Sequence, residues 1–285
     1  MTVLDTVAVD RTTHTSRPRH YLMCPPTYFS VTYAINPWMN PEVPVNQELA
    51  GIQWDVLRHT YLSLGHTVDL IDPEPGLPDM VFAANGGLVV GGRAYGAKFR
   101  YEQRQAESQA YRHWLKRAEI DAVEPIQTNE GEGDFLTLGT MVLAGSGFRT
   151  SIAAHIEAAA AIDRPVVSLE LVDPRFYHLD TCLAVLDDGN GSAPADIAYY
   201  PAAFSPHSQR TLRDLFPAAV ICSEADASVL GLNAVSDGYN VVLPAAAAEF
   251  GEHLGARGYN PLAVNLGELL KAGGSVKCCT LELHR

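Results

Sequence analysis

Short apolar strands alternate with amphipathic helices along most of the chain, and this alternation constrains the fold more than any other feature. Pairs of strands are predicted at 87–96 and 135–143, and helices at 101–118 and 151–162 follow them. One more strand comes after the helix, as at 165–171. The spacing of several tens of residues favours a repeated ββαβ module over one doubly wound sheet.

The remaining segments continue the same pattern. Further helices are predicted at 46–64, 205–215 and 246–258. Further strands are predicted at 20–24, 67–71, 80–84, 122–126, 183–186, 197–200, 219–222 and 241–243, with a turn at 188–191 and a final strand through Cys278. Because no Pro/Gly/Ser-rich linker divides the chain, we expect a flexible tail over residues 1–18 and a single domain over residues 19–285.

The charge balance and the cysteines argue against several classes of protein. A formal net charge of -13 over 285 residues disfavours nucleic-acid and anionic-membrane partners, which need basic surfaces, and agrees with a small cationic substrate. The five cysteines are scattered, without a CxxC pair or a recognisable signal peptide, so we expect free thiols, no zinc and a cytoplasmic location. No apolar run is long enough to span a bilayer.

Cys278 is the first candidate for a catalytic residue. It follows Gly273-Gly274 and lies close to the end of the chain among apolar residues. The two glycines allow the backbone to turn sharply before the thiol, which would present a nucleophile. The alternative is that Cys278 and Cys279 are two small hydrophobic residues of a terminal strand, as free cysteines often are.

His178 and Asp180 are candidates for partners of that thiol. They are two residues apart at the start of a predicted apolar strand, and residues two apart in a strand face the same side. An ionisable pair on a buried face is costly unless it is used. Taken alone, the pair is more often structural than catalytic.

Two further segments carry polar residues beside glycines. Glu130, Glu132 and Asp134 alternate with glycines just before a predicted strand, which suits the binding of a cation close to the backbone. Asp79 and Asn85 bracket another apolar segment. The alternatives are a solvated acidic loop for the first segment and two ordinary turns for the second.

Taken together, these segments resemble the guanidinium-modifying superfamily, or penteins, of arginine deiminases, dimethylarginine dimethylaminohydrolases and amidinotransferases. The segments that carry the resemblance occur in the family's order: Leu77–Phe82, Glu130–Asp134, Gly147–Thr150, His178–Asp180 and Gly273–Cys278. The resemblance covers most of the chain. It implies an α/β fold, a five-bladed α/β propeller of ββαβ modules with pseudo-fivefold symmetry.

The resemblance also implies roles for the catalytic residues. Cys278 matches the family's nucleophile and His178 its general acid and base. A glutamate of the acidic run would hold the substrate, and either Glu130 or Glu132 could do so, because Gly131 stands at the family's usual position. The resemblance implies no metal and no cofactor.

The substrate-binding residues follow from the same resemblance. Arg104 and Arg149 stand where the family keeps arginines that bind an amino-acid carboxylate, although two lone arginines are otherwise most often surface residues. Asp79 stands near the family's site for the polar groups of the substrate. Asn36 and Asn85 are shared with the bacterial arginine dihydrolase branch, which the segment 23–39 resembles.

The chemistry agrees with these residue types. A guanidinium carbon is a poor electrophile because its charge is spread over three nitrogens, and a thiolate is nucleophilic enough to attack it. An unperturbed cysteine has a pKa of about 8.5, so Cys278 needs a nearby positive charge or the cationic substrate to ionise near neutral pH. His178 would then protonate the leaving amine and activate water.

The side chains of Asp180 and Asn85 help to choose between the possible substrates. Asp180 can accept hydrogen bonds from an unmethylated guanidinium, where the dimethylarginine hydrolases used for comparison have a lysine. Asn85 is neutral, which suits the uncharged ureido group formed by a first hydrolysis. We therefore rank arginine dihydrolase first, dimethylargininase second and arginine deiminase third.

An amidinotransferase and a non-catalytic arginine-binding protein remain alternatives. The expected partner is arginine or methylated arginine, and homo-oligomer formation is left open.

Overall fold

A computed structural model describes residues 14–189 and 194–284 of the chain. The fold is mixed α/β, with several sheets and with helices between the strands. The α-helices are α1 Gln47–Ser63, α2 Glu102–Gln105, α3 Glu107–Arg117, α4 Ile152–Ile162, α5 Pro206–Leu215, α6 Glu224–Ala227, α7 Ala248–Ala256 and α8 Gly267–Leu270. Within the described residues, no helix combines the length and the apolar character needed to cross a bilayer.

The strands are short and close to their predicted positions. They are β1 His20–Met23, β2 Thr67–Leu70, β3 Gly87–Val90, β4 Arg93–Gly96, β5 Asp121–Val123, β6 Phe135–Leu138, β7 Met141–Ser146, β8 Val166–Glu170, β9 Leu183–Asp187, β10 Asp196–Tyr199, β11 Val220–Ile221, β12 Val235–Ser236, β13 Asn240–Pro244, β14 Asn260–Val264 and β15 Leu281–His284. Short 3-10 helices lie at Pro78–Val81, Ala83–Gly86, Gly131–Gly133, Leu179–Thr181 and Pro201–Ala203.

The predicted ββαβ order is present in every sheet. The three-stranded sheets β6-β7-β8, β9-β10-β11 and β12-β13-β14 each consist of an antiparallel pair, a helix and a third, parallel strand. The six-stranded sheet joins two such units, β15-β1-β2 and β3-β4-β5, through parallel pairing of β15 with β3. The last strand of the chain therefore completes the unit that the first strand belongs to.

Three of the longer helices begin at a residue whose side chain caps the first turn. Asn46, Ser151 and Ser205 each accept a hydrogen bond from a backbone N–H in the first turn, at the starts of α1, α4 and α5. Such a cap satisfies one of the donors that a helix start leaves free. Helix α1 buries Trp54 and Leu57 in one apolar cluster with Tyr21 and Met23 of β1.

Three predicted strand assignments are wrong, and all three concern the loops that carry the candidate site. Residues 80–84 form parts of two 3-10 helices, the first of which begins at Pro78. His178 precedes a 3-10 helix, so the alternation of strand faces does not apply to it and Asp180. Cys278 lies in a turn, since the last strand begins only at Leu281.

The N-terminal part of the predicted tail, residues 1–13, lies outside the described residues, as does half of the predicted turn at 188–191. From His14 onward the chain contacts the domain. The ring of His14 stacks on Tyr259 with 3.7 Å between ring centroids, and the N–H of Arg17 donates to the carbonyl of Asp237 at 2.9 Å. Arg17 also pairs with Asp188 at 2.6 Å.

Asp237, in the turn between β12 and β13, ties several of these segments together. Its carboxylate accepts hydrogen bonds from Ser16, from the backbone N–H groups of Tyr239 and Asn240, and from the Asn240 side chain at 2.7 Å, and it faces His66 at 3.5 Å. Burial alone would raise the pKa of Asp237, but the hydrogen bonds from His66 and Asn240 hold it well below its usual range.

We therefore expect Asp237→Asn to lower the free energy of unfolding by about 1–3 kcal/mol at pH 7. A carboxylate with a depressed pKa contributes stability above its unfolded pKa, near 3.9, and loses it as the pH falls through the lower folded value. The difference between wild type and variant should therefore narrow below about pH 4, which urea unfolding at several pH values measures. Asp69→Asn, which removes a more exposed pair with His20, is the control. A loss that is the same at every pH would contradict this account.

Candidate active site

The turn that carries Cys278 depends on the two glycines before it. Gly273 has a φ of +81°, and a side chain there would press on Asn36 and Trp38. A Cβ on Gly274 would overlap the ring of Phe82. The carbonyl of Cys278 accepts a hydrogen bond from the N–H of Ala84 at 3.0 Å. The nucleophile candidate is therefore held directly against the 3-10 helix that contains Asn85.

The thiol of Cys278 faces a carboxylate and an amide. Its Sγ lies 3.4 Å from Oδ2 of Asp180 and 3.1 Å from Nδ2 of Asn233, and the side chain of Cys278 is 2% exposed. Burial and then the charge of Asp180 raise the pKa of the thiol. Burial also raises the pKa of Asp180, to about 7, against the opposing charge of Lys277. Without substrate, the sulfur therefore keeps its proton near neutral pH and can donate it to Asp180.

His178 is oriented by Glu130. The Nε2 atom of His178 lies 2.8 Å from Oε2 of Glu130, and both side chains are buried. The same Oε2 accepts a hydrogen bond from Arg149 at 2.8 Å. Burial alone would raise the pKa of Glu130, but Arg149 and the hydrogen bond from His178 bring it well below its usual range. Glu130 is thus an ionised carboxylate that fixes the imidazole.

Glu132 points elsewhere. Its Oε2 pairs with Nζ of Lys277 at 2.5 Å and accepts a hydrogen bond from the N–H of Glu282 at 2.9 Å. This places Glu132 beside β15 and not against His178. Of the two glutamates that the sequence left open, the geometry favours Glu130 as the partner of the histidine.

Arg149 is occupied by other groups of the protein. Its guanidinium lies over the rings of Tyr101 and Tyr177, at 4.6 and 4.7 Å, and donates to the carbonyl of Ile35 as well as to Glu130. Such stacking and pairing suit a buried arginine. In the structure, the main contact of Arg149 is with Glu130, which differs from the carboxylate-binding role that the resemblance implies.

Arg104 orients Asn85. It forms two hydrogen bonds with the carboxylate of Glu107, at 2.9 and 2.8 Å, and donates to Oδ1 of Asn85 at 2.8 Å. The Nδ2 of Asn85 donates to the carbonyl of Glu130 at 3.2 Å. A Cβ on Gly133 would overlap Nδ2 of Asn85 and approach His178, so the amide and the imidazole are neighbours across this glycine.

Among the described residues, three buried carboxylates each keep one oxygen without a hydrogen-bond partner. Glu132 lies beside β15, and the other two, Asp79 and Asp180, lie at the candidate site. Asp79 accepts from the hydroxyl of Tyr33 at 2.9 Å through Oδ2, but its Oδ1 has no partner. Asp180 also has an unpartnered Oδ1. Burial raises the pKa of both carboxyl groups. An unpaired buried carboxylate oxygen is costly, so these two atoms mark positions where a donor is missing.

The side chain of Asn36 forms a hydrogen bond with the backbone just before the Gly273-Gly274 turn. Its Nδ2 donates to the carbonyl of Ala272 at 3.0 Å, and its Oδ1 accepts from the N–H of Trp38 at 2.9 Å. Both ends of this amide are therefore engaged with backbone groups. This arrangement agrees with a structural support of the Gly273-Gly274 turn.

Two residues that the structure places at the site, Glu107 and Asn233, were not singled out from the sequence, and Asp134 was named only within the acidic run. Glu107 lies three residues after Arg104, a helical spacing that could have indicated the pair. Asp134 accepts from the N–H groups of Leu179 and Thr150 and so holds the loop after His178. Asn233 lies between Leu232 and Ala234, and no local pattern marks it. Over the described ranges, no group of three or more His, Cys, Asp or Glu side chains is arranged to hold a metal ion.

The sequence is similar to proteins of two activities. It is 56% identical over 270 residues to the N(G),N(G)-dimethylarginine dimethylaminohydrolase of Mycobacterium tuberculosis. The alignment covers 95% of this chain and 87% of that protein. It is 38% identical over 269 residues to the bifunctional arginine dihydrolase/ornithine cyclodeaminase ArgZ of Synechocystis. That match covers 92% of this chain but only 37% of ArgZ. No family model matches the sequence.

Two solved structures superpose closely on the chain. The substrate-bound N-terminal domain of ArgZ, a cyanobacterial arginine dihydrolase, superposes with a TM-score of 0.87 at 36% identity and covers 94% of this chain and 98% of that one. A dimethylarginine dimethylaminohydrolase adduct superposes with a TM-score of 0.73 at 19% identity, covering 93% and 100% of the two chains, which supports the fold alone. The protein belongs to the guanidinium-modifying superfamily, in the branch of the dimethylargininases and arginine dihydrolases.

Proposed function

We propose that the protein hydrolyses the guanidinium group of arginine through a covalent adduct on Cys278 and continues to ornithine, carbon dioxide and two molecules of ammonia. The observation that carries this proposal is the pair of unpartnered oxygens on Asp79 and Asp180, in a buried site that also holds Cys278, His178 and Glu130. A cationic substrate with many N–H donors supplies what these oxygens lack. The site would be selective for such cations.

The first half of the reaction forms the adduct. The cationic guanidinium lowers the pKa of the Cys278 thiol, which loses its proton to solvent as the substrate binds. The thiolate then attacks the central guanidinium carbon and forms a carbon–sulfur bond. His178 gives its proton to one terminal nitrogen, which leaves as ammonia when the carbon–nitrogen bond breaks. Glu130 stabilises the imidazolium form of His178 through their hydrogen bond. The product of this half is a thiouronium adduct on Cys278.

The second half releases the product. His178, now neutral, takes a proton from water, and the hydroxide oxygen adds to the adduct carbon. The carbon–sulfur bond then breaks and leaves a ureido group with a free thiolate. For arginine this product is citrulline, and a second hydrolysis with another water yields ornithine, carbon dioxide and ammonia. In total, arginine and two waters are consumed.

Asn85 supports the second hydrolysis. Because Arg104 holds its Oδ1, the amide can present only its Nδ2 as a donor toward the region of His178. A donor suits the neutral ureido oxygen of citrulline, whereas a carboxylate at this position would hold the cationic guanidinium alone. We therefore assign Asn85 to retention of the intermediate and Asp180 to the guanidinium.

The second candidate function is dimethylargininase, which would yield citrulline and dimethylamine. The 56% identity to the Mycobacterium tuberculosis protein favours it. Against it, Asp180 is buried and aimed at the sulfur, and two methyl groups on the guanidinium would remove donors that its unpartnered oxygen needs. Arginine deiminase, amidinotransferase and arginine binding without turnover rank below these two.

We also propose a finer architecture, a location and a class of partner for the protein. The five ββαβ units support a five-bladed α/β propeller with pseudo-fivefold symmetry, since each unit would form one blade. All five cysteines are free and buried, which agrees with the cytoplasm. The proposed partner is the small-molecule substrate, with no nucleic-acid or membrane partner.

Incubation of the purified protein with arginine should yield ornithine and two equivalents of ammonia, measured by amino-acid chromatography and an ammonia assay. A parallel incubation with dimethylarginine should release dimethylamine far more slowly. Citrulline as the only end product from arginine would overturn the dihydrolase proposal. Dimethylamine release at comparable efficiency would instead establish the second candidate.

Cys278→Ser should lower kcat by roughly a thousandfold or more, because a hydroxyl cannot replace the thiolate as nucleophile. Cys279→Ser is the matched control, since Cys279 is fully buried in the same turn, whereas the hydrogen bond to the carboxylate of Asp180 comes from Cys278. We expect the control to keep most of its turnover with arginine. The reverse order of the two variants would show that the nucleophile is misassigned.

Glu130→Gln should lower kcat by about a hundredfold or more, because it removes the charge that stabilises protonated His178. Glu132→Gln is the comparison. It leaves Lys277 buried without its partner, so this variant should unfold at a clearly lower temperature than wild type while its kcat falls much less than that of Glu130→Gln. Steady-state kinetics give the change in kcat for both variants, and thermal unfolding gives the change in their stability. A larger loss of kcat for Glu132→Gln would contradict the assignment.

A further inference from the structure

The side-chain amide of Asn233 connects the two loops that carry Cys278 and Asp180. Its Oδ1 accepts a hydrogen bond from the backbone N–H of Cys278 at 3.1 Å. Its Nδ2 donates to the backbone carbonyl of Asp180 at 3.1 Å and lies 3.1 Å from the Sγ of Cys278. Asn233 is fully buried, so no water competes for these contacts.

The orientation of this amide is determined by its backbone partners. A flipped amide would place its NH2 group against the N–H of Cys278 and its oxygen against the carbonyl of Asp180, and both contacts would be repulsive. The observed orientation is therefore required. One N–H of Nδ2 is used by Asp180, and the other points to the sulfur. The sulfur must accept from Asn233, whether or not it carries a proton.

The backbone around Asn233 holds the amide in place. The N–H of Asn233 donates to the carbonyl of Leu230 at 2.9 Å, and its own carbonyl accepts from the N–H of Lys277 at 3.3 Å. Leu230 has a φ of +54°, and a Cβ on Gly231 would press on Ala247. This strained turn leaves Asn233 little freedom to move away from Cys278.

We propose that Asn233 is a positioning residue of the reaction, which holds the main chain of Cys278 and donates a hydrogen bond to its sulfur so that the thiolate is favoured. The proposal rests on the proposed function only in taking Cys278 as the nucleophile. It adds a neutral side-chain donor to a site where burial and Asp180 oppose ionisation of the thiol and a backbone hydrogen bond from Ser275 favours it.

The groups that face Cys278 make such a donor necessary. Asp180 is a carboxylate in contact with the sulfur, and Tyr177 and Cys279 are the other titratable groups that interact with it. None of these three carries a positive charge. Lys277 acts on Asp180 and is paired with Glu132. The hydrogen bond from Asn233, like the backbone hydrogen bond from Ser275, therefore stabilises the thiolate form without any contribution from substrate.

The test measures the pKa of Cys278 directly, without substrate. The rate at which iodoacetamide alkylates Cys278 is followed against pH, with the modified peptide identified by mass spectrometry. Asn233→Asp keeps the acceptor for the N–H of Cys278 but loses the donor to sulfur, and Asn233→Ser removes both contacts. Thr280→Val is the control, because it removes the hydrogen bond from Thr280 to the carbonyl of Val276 in the same turn and leaves the sulfur contacts intact.

Both Asn233 variants should raise the pKa of Cys278 by roughly one to two units and lower kcat with arginine, since hydrogen bonds to charged groups are among the strong ones. Thr280→Val should lower the unfolding temperature and leave the pKa of Cys278 unchanged. If Asn233→Asp does not fold, Asn233→Ser decides the question. An unchanged pKa in the Asn233 variants, or an equal shift in Thr280→Val, would overturn the proposal. Failure of the proposed function would instead appear as absent turnover in the wild type.

Discussion

The buried contact of Arg149 with Glu130 and of Glu130 with His178 is the interaction on which the rest of the site depends. It joins the loop after β5, the loop after β7 and the loop before β9, all of which are irregular. A carboxylate without these partners would be neutral when buried, and the imidazole would then lose the acceptor that orients it. The energetic cost of burying Glu130 is offset because both of its partners are buried with it.

The same logic explains why the site favours a cation. Glu107 compensates Arg104, and Glu130 compensates Arg149, so these arginines have little charge left for a ligand. The carboxylates of Asp79 and Asp180 are less fully neutralised by nearby positive charges, and burial raises their pKa values. A bound guanidinium or ammonium group would restore the balance and lower the pKa of the neighbouring thiol. Substrate binding and activation of the nucleophile are therefore coupled through charge.

The strands and helices were largely predictable, and the loops of the site were not. The helix at 46–64 and the hairpins at 87–96 and 135–143 were predicted because their apolar periodicity reflects burial on one face. The loops around Asn85, His178 and Cys278 are buried on all sides, so their apolar residues resemble a strand although 3-10 turns are formed. The roles of Cys278 and His178 came from the resemblance, which relates residues that are far apart in sequence. The resemblance left Glu130 and Glu132 open, and only the contact with His178 favours Glu130. Asn233 could not be found in either way, because its role depends on a contact across 45 residues of chain.

The choice between one and two hydrolyses depends on the orientation of one amide. An asparagine can present an oxygen or an NH2 group, and a free amide at position 85 could adapt to either a guanidinium or a ureido group. Arg104 removes this freedom, because its Nη1 donates to Oδ1 and Glu107 holds the arginine by two hydrogen bonds. Asn85 is consequently a fixed donor, and under the proposed function it would contribute little to binding a cation and much to binding a neutral carbonyl. A site built only to release citrulline would gain nothing from such a donor, whereas a site that hydrolyses citrulline requires a group that retains it.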